Sequence, residues 1–302
     1  MPVELGQNMQ DDLVETDLEL AHRAVLTGAA VALPHFAALA DLPRELKADG
    51  SVVTAADRAV ETAIREVLAA ARPHDAVLGE EHGESAGPDA SRRWIIDPID
   101  GTALFVKGDD RWLILMALEE DGEVVVGVAA HPAQGSIFWA VRGAGAFEGR
   151  VVGGRVVAAT PLHVAAGPDE GGTDEGGTDE GGTGEGGADE GGLVGARFAA
   201  VPETWAPHLV GPINEIAPAL PWSIHPGLLV ARGDLDLAIQ TGGQIWDFAA
   251  TSLILTEAGG SFSGLNGRTR PGPGASLYAR SAALRLATLD LLGDARHAGA
   301  TS

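Results

Sequence analysis

Residues 94–102, Trp94-Ile95-Ile96-Asp97-Pro98-Ile99-Asp100-Gly101-Thr102, run from an apolar stretch into two carboxylates three residues apart and then into a Gly-Thr pair. The apolar part, 93–96, reads as a short strand, because bulky Ile and Trp suit a pleated, buried surface. Pro98 fixes the backbone between the aspartates and removes an N–H that would otherwise bond to one of them, so both carboxylates can converge on one point. Gly101 lets the chain turn closely and leaves the amides of Gly101, Thr102 and Ala103 to meet an anion at a helix start. The pattern is that of a cation site facing a phosphate site. An Asx-turn followed by a helix cap explains Asp100 or Thr102 alone, but not Asp97 at the end of an apolar strand.

Working outward, Gly79-Glu80-Glu81 closes another short strand, 76–78, and brings a third carboxylate toward the same sheet edge, although a solvated acidic loop explains it equally well. Trp246-Asp247 opens an apolar helix, 248–258, that Gly259-Gly260 closes, and a helix cap alone accounts for that aspartate. Four oxygen-donor carboxylates without His or Cys partners form the ligand set that Mg²⁺ or Mn²⁺ prefers. Apolar residues at helical spacing predict helices over 12–33 and 55–71, the second capped by Thr54, and a third over 282–292. Strands are expected at 113–118, 123–130 and 136–140, with Glu120-Asp121-Gly122 as a hairpin turn, and at 198–201, 228–229 and 235–240. Helices and strands mixed without strict alternation predict an α+β layered architecture.

The 302 residues are enough for a large core, and no apolar run reaches the ~18 to 20 residues of a membrane-spanning helix. The acidic, polar opening, 1–19, lacks the pattern of a secretory signal, so a cytoplasmic protein is expected. The absence of cysteine excludes disulfides and thiolate metal sites. A net charge of -23 argues against nucleic acid or an anionic membrane as partner, while a small phosphorylated substrate stays open because bound cations invert the local sign. Between Gly167 and Gly192 the unit Asp-Glu-Gly-Gly-Thr repeats with slight variation, holding nine acidic residues and no basic one, so the rest of the chain still carries -14. Nothing in that stretch can enter a core. The expected organisation is an α+β N-terminal part, 1–150, with the metal site, a disordered acidic loop, 165–193, and an α/β C-terminal part, 194–302, that completes the active site.

Gly79-Glu80-Glu81, Asp97-Pro98-Ile99-Asp100-Gly101-Thr102, and Trp246-Asp247 through Glu257-Ala258-Gly259-Gly260 together resemble, in order and spacing, the motif set of the inositol monophosphatase family. The resemblance runs from about Asp12 to Leu292, outside the acidic repeat. It implies the layered αβαβα sugar-phosphatase fold, a homodimer, and hydrolysis of a small phosphate monoester with two or three Mg²⁺ ions. By that resemblance Glu80, Asp97 and the Ile99 carbonyl hold one ion, Asp97, Asp100 and Asp247 a second, and Glu80 touches a third through water. Asp57 resembles the aspartate that works with the motif threonine, here Thr102, to deprotonate the attacking water, and Lys47 matches a basic residue of a mobile active-site loop. A first-turn helix position is the plain alternative for Asp57, and an exposed surface lysine for Lys47.

The stretches 52–61, 72–82 and 105–108 with Trp112 are similar to the histidinol-phosphate branch of that family. Gln240, however, stands where both branches commonly carry a substrate-contacting glutamate, and an amide does not attract an ammonium as a carboxylate does. Ala103-Leu104, Asp109-Asp110-Arg111 and His225-Pro226-Gly227 depart from the family pattern as well. The expectation is therefore a polyol phosphate of the inositol monophosphate type, with histidinol phosphate as the alternative, Asp109 or Asp110 then supplying the charge that Gln240 lacks. A reading from another class is a catalytically weak relative that binds or regulates.

Overall fold

The computed structural model describes residues 15–41, 44–46, 52–85, 87, 89–166, 192–201 and 207–299. Helix α1 (Asp17–Ala37) opens on a capping box in which the Thr16 hydroxyl accepts the Glu19 amide and the Glu19 carboxylate accepts the Thr16 amide. A short hairpin, β1 (Arg44–Leu46) with β2 (Val52–Thr54), leads into α2 (Ala55–Ala71). Then follow β3 (Asp75–Gly79), β4 (Gly83–Ser85), β5 (Asp89–Asp100), a single turn of helix α3 (Thr102–Phe105), β6 (Leu113–Glu120), β7 (Glu123–His131), β8 (Ser136–Val141), β9 (Gly145–Val152) and β10 (Arg155–Pro161). These strands form one eight-stranded sheet in the order β10-β9-β8-β7-β6-β5-β3-β4, antiparallel except where β3 runs beside β5. The β6–β7 turn places Asp121 and Gly122 at φ 50° and 78°, the left-handed geometry that suits the strand twist of a tight hairpin.

The later part supplies β11 (Phe198–Val201), α4 (Pro207–Asn214), α5 (Pro226–Ala231), β12 (Leu237–Gln240), α6 (Ile245–Glu257), β13 (Ser261–Gly264), β14 (Ser276–Ala279) and α7 (Ala282–Gly299). Its four strands pair in the order β11-β12-β14-β13.

Alternation along the strands fixes the layers. Trp94, Ile96, Ile114, Met116 and Val128 point to one face of the large sheet and pack on Leu20, Ala24 and Val25 of α1 and Val60, Ile64 and Leu68 of α2. Ile95, Leu115, Ala117, Ala129 and Phe138 point the other way, against Phe248, Ala250 and Ile254 of α6 and Leu228 and Val230 of α5. Ala238, Phe262 and Tyr278 of the small sheet close on those two helices from beyond. Phe198, Leu237, Ile239 and Leu277, on its outer face, pack with Leu209 and Ile213 of α4 and Leu284 and Leu292 of α7. The result is the layered αβαβα arrangement, with the central strands β6, β7 and β8 of the large sheet buried on both faces and correspondingly apolar.

Several sequence expectations change. Residues 228–229 lie in helix α5 rather than in a strand: the run is buried on every side and carries no period, while Pro226 suits the first helical position. Helix α1 starts at Asp17, where the Thr16 cap sets its origin, and continues through Pro34 to Ala37. Helix α6 begins at Ile245, so Asp247 falls inside its first turn. Strands β1, β2, β4, β9, β10, β13 and β14 and helix α4 were not foreseen; β10 is a largely exposed edge whose side chains show no core-facing alternation. The repeat, 167–191, and Lys47 lie outside the described residues, and the packed chain resumes at Leu193, which is buried against the outer face of the small sheet.

Candidate active site

Asp97 and Asp100 belong to one strand, β5, and in a regular strand two residues three apart face opposite sides. The pairing with β6 shifts between them: Asp97 sits opposite Leu115 and Asp100 opposite Leu113, so three steps on β5 span two on β6. That extra residue is a β-bulge, and it turns both carboxylates to the same side. Pro98 occupies the bulge without an N–H, the Ile99 amide donates to Asp97 Oδ1 at 3.1 Å, and Gly101 at φ 81° turns the chain into α3. Phe105 and Trp112, both fully buried, pack edge-on against each other and at a tilt against Phe36 of α1, and anchor that turn.

Asp247 arrives from α6. Its Oδ2 accepts the Gln244 amide at 2.6 Å, so the residue does cap its helix, and it also joins the acidic cluster. One carboxylate oxygen from each of Asp97, Asp100 and Asp247 lies within 4.8 Å of the other two. Burial raises the Asp97 carboxyl well above its ordinary pKa, and the charges of Glu80, Asp100 and Asp247 push it further. Asp100 is raised in the same way, by burial first and then by Asp247 and Glu80, against the opposing donation of the Gly101 amide to its carboxylate. Converging carboxylates that oppose each other's ionisation, all with oxygen donors, fit a hard divalent cation.

Glu80 lies outside that tightest trio but near enough for its charge to act on Asp97 and Asp100. Its amide donates to the Ile96 carbonyl at 3.2 Å, which ties the turn after β3 to β5. Behind that turn stands Glu61 of α2, fully buried, accepting the amides of Glu81 at 2.7 Å and His82 at 3.2 Å and pairing with Arg65 at 2.7 Å. A Cβ on Gly79 would fall 2.0 Å from Glu61 Oε1, which is why the strand ends on glycine. Glu61 was not singled out from the sequence, although an acid within the apolar stripe Val60, Ile64, Leu68 was its signal.

Asp57, in the first turn of α2, has its Oδ2 held by the amide and hydroxyl of Thr54, at 2.9 and 2.6 Å. Its Oδ1 lies 3.0 Å from Thr102 Oγ1, which is also 3.0 Å from the Ile99 carbonyl. A hydroxyl has one proton, so Thr102 gives it to one of these oxygens and keeps lone pairs to accept another.

Gln240 ends β12, buried on the inner face of the small sheet, where its Oε1 lies 3.2 Å from His225 Nε2 and 3.3 Å from the Tyr278 hydroxyl. The acidic pair offered as a substitute charge is committed elsewhere. Asp109 forms a two-pronged bond to Arg111, at 2.9 and 2.7 Å, and Arg111 lies 4.3 Å over the Trp222 ring; Asp110 accepts from Gln134 at 3.3 Å.

The model of the inositol monophosphatase family matches residues 13–170 and 226–295. The chain belongs to the inositol monophosphatase family. It is 39% identical over 262 residues to a histidinol-phosphatase of Streptomyces coelicolor, covering 85% of this chain and 89% of that one. It is 31% identical over 235 residues to an inositol-1-monophosphatase of Mesorhizobium japonicum, covering 77% and 79%. The IMPase of Thermotoga maritima shares the fold at a TM-score of 0.70 and 19% identity, over 93% of this chain and 98% of that one. An IMPase/NADP phosphatase crystallised with Mg²⁺ and phosphate shares it at a TM-score of 0.65 and 18% identity, over 87% and 90%. Membership makes the protein a phosphoric monoester hydrolase of the inositol monophosphatase type, in a family that works with metal ions.

Proposed function

We propose that this phosphatase uses Mg²⁺ to hydrolyse the monophosphate of a small neutral polyol or cyclitol. The observation that carries the reading is the hydrogen-bonded line Asp57, Thr102 and the Ile99 carbonyl standing beside the convergent carboxylates. Glu80, Asp97 and the Ile99 carbonyl would hold one ion and Asp97, Asp100 and Asp247 another, with Glu80 reaching a third through water. When bound, Mg²⁺ supplies charge that polarises the phosphoryl group, lowers the pKa of water and neutralises the leaving oxygen. Asp57, with one oxygen fixed by Thr54, has Oδ1 left to take the Thr102 proton. Thr102 Oγ1 then accepts the proton of the attacking water, so the pair acts as a two-step general base. The amides of Gly101, Thr102 and Ala103 at the start of α3 would orient phosphate oxygens, that of Gly101 on exchanging its Asp100 contact, and Lys47 would add charge from the segment before β2. By the family resemblance the enzyme is a homodimer, which light scattering checks.

A second reading, histidinol phosphate, is favoured by the Streptomyces coelicolor relative. Against it, Gln240 is neutral and Asp109 is already neutralised by Arg111.

Phosphate release from inositol, histidinol, glycerol and sugar monophosphates, with Mg²⁺ and with excess chelator, tests both readings. Turnover is expected with Mg²⁺ alone, greatest on a polyol phosphate. Wild-type rates in chelator would overturn the metal mechanism, and a hundredfold preference for histidinol phosphate would overturn the polyol reading. Thr102→Val is expected to lower kcat by roughly 10²–10⁴, the usual share of a positioned acid–base group, with little change in the Mg²⁺ concentration for half-maximal rate.

A further inference from the structure

The hydrogen bonds around Gln240 determine which end of its amide can meet a substrate. Gln240 shares the inner face of the small sheet with Ala238 of its own strand and with Tyr278, whose Cα pairs with Ala238 on the neighbouring β14. This is the face that α6, bearing Asp247, packs against. Tyr278 stands close enough to the site for Asp100 and Asp247 to disfavour its ionisation, after burial, the larger cause. Its hydroxyl lies 2.9 Å from Thr251 Oγ1, which is itself 3.3 Å from the Asp247 carbonyl, so a line of polar groups joins Asp247 to Gln240.

The orientation of the Gln240 amide follows from His225. Its Nδ1 accepts the Gly227 amide at 3.1 Å, capping α5, and its own amide donates to His131 Nε2 at 3.4 Å. A neutral imidazole whose Nδ1 accepts must carry its proton on Nε2. His225 is neutral, since burial lowers its pKa to about 4. The Nε2–H therefore donates to Gln240, and the atom facing it must be the amide oxygen. The Tyr278 hydroxyl lies 3.3 Å from that same oxygen and donates to it when Thr251 supplies the proton of the Tyr278–Thr251 contact. With Oε1 turned to His225, the NH₂ is the end left over. It has no hydrogen-bond partner among the described residues.

We propose that His225 and Tyr278 are positioning residues that fix the polarity of Gln240, so that the leaving-group pocket presents an N–H pair and selects a substrate bearing a hydrogen-bond acceptor. The class is a hydroxylated or ether-bearing phosphate, and an ammonium, which can only donate, is disfavoured. The inference rests on the phosphatase reading and deepens its substrate class.

The test compares kcat/KM with Mg²⁺ for inositol 1-phosphate, histidinol phosphate and p-nitrophenyl phosphate, the last offering neither hydroxyl nor ammonium. Gln240→Glu is expected to shift the histidinol-to-inositol ratio at least tenfold toward histidinol phosphate, carried by KM. His225→Asn keeps a cap oxygen for Gly227 but cannot reach Gln240, and Tyr278→Phe keeps the ring while removing the second donor. Both are expected to move the ratio three- to tenfold in the same direction as the amide becomes free to flip. If His225→Asn fails to fold, Tyr278→Phe and the ring-nitrogen NMR spectrum of the wild type carry the decision. That spectrum is expected to show His225 as the Nε2–H tautomer. An Nδ1–H tautomer, or ratios unmoved in the folded variants, overturns the proposal. No turnover of any of the three substrates by the wild type would instead overturn the phosphatase reading itself.

Discussion

Asp97 and Asp100 hold charge that their surroundings oppose. A carboxyl whose pKa is raised on folding stabilises the fold below its unfolded pKa, and that stability is lost as pH rises through the folded value. The metal-free protein at pH 7 is therefore weakened by its own site. Asp100→Asn is expected to raise Tm by a few degrees in chelator, to remove most of the Mg²⁺-induced rise, and to cut turnover by roughly 10²–10³, the scale of losing one electrostatic contact of a transition state. Melting curves with and without Mg²⁺ check the first two; a lower Tm in chelator would show that Asp100 is structural. These aspartates were legible because acid interrupts an apolar strand. Glu61 was not, and His225 showed only as a departure from the family pattern, because their meaning lies in partners 20 and 15 residues away, Glu81 and Gln240, which only the fold brings near.

At the scale of elements, the position of α6 decides whether Asp247 reaches the other acids. Gly127 of β7 lies directly beneath this helix, and a Cβ there would come within 2.8 Å of the Ala250 carbonyl and 3.1 Å of its Cα. Gly127→Ala therefore pushes backbone against backbone, with an expected loss of about 1–3 kcal/mol in urea unfolding and a higher Mg²⁺ requirement as Asp247 is displaced. The junction of β7 with α5 carries another liability, the fully buried His131 and His225, whose pKa values fall to about 3 and about 4. Each is neutral when folded, but takes a proton near pH 6.5 when unfolded. Stability is thus complete above about pH 6.5 and lost as pH falls toward 4, by on the order of 1.4 kcal/mol per histidine per pH unit. Urea titrations at pH 7, 6 and 5 in saturating Mg²⁺ check this slope, and His131→Asn is expected to lessen it. Helix α2 was legible to its ends, 55–71, because Thr54 and the apolar stripe mark it. Helix α5 was not, because six residues buried all round give no period to read.

At the scale of the molecule, the residues alone supported a mixed layered class, and the motif resemblance supplied the number of layers. The division of the core into three clusters could not be read from the central strands of the large sheet, since strands buried on both faces show no polar side to mark their orientation. The pairing of that sheet does carry a consequence for how the site is assembled in time. From β5 to β10 every strand pairs with its neighbour in sequence, so Asp97 and Asp100 are set by local hairpins, whereas Asp247 lies about 150 residues further along the chain. Contacts of short sequence separation form early and distant ones late. The third carboxylate would then join the other two only after the folding barrier has been crossed. A cation gripped by all three can stabilise the native state but not the transition state, so Mg²⁺ is expected to slow unfolding while leaving the refolding rate unchanged. Stopped-flow chevrons with and without Mg²⁺ measure both arms; faster refolding with the ion would mean that α6 docks before the barrier, and that the metal guides the fold rather than latching it.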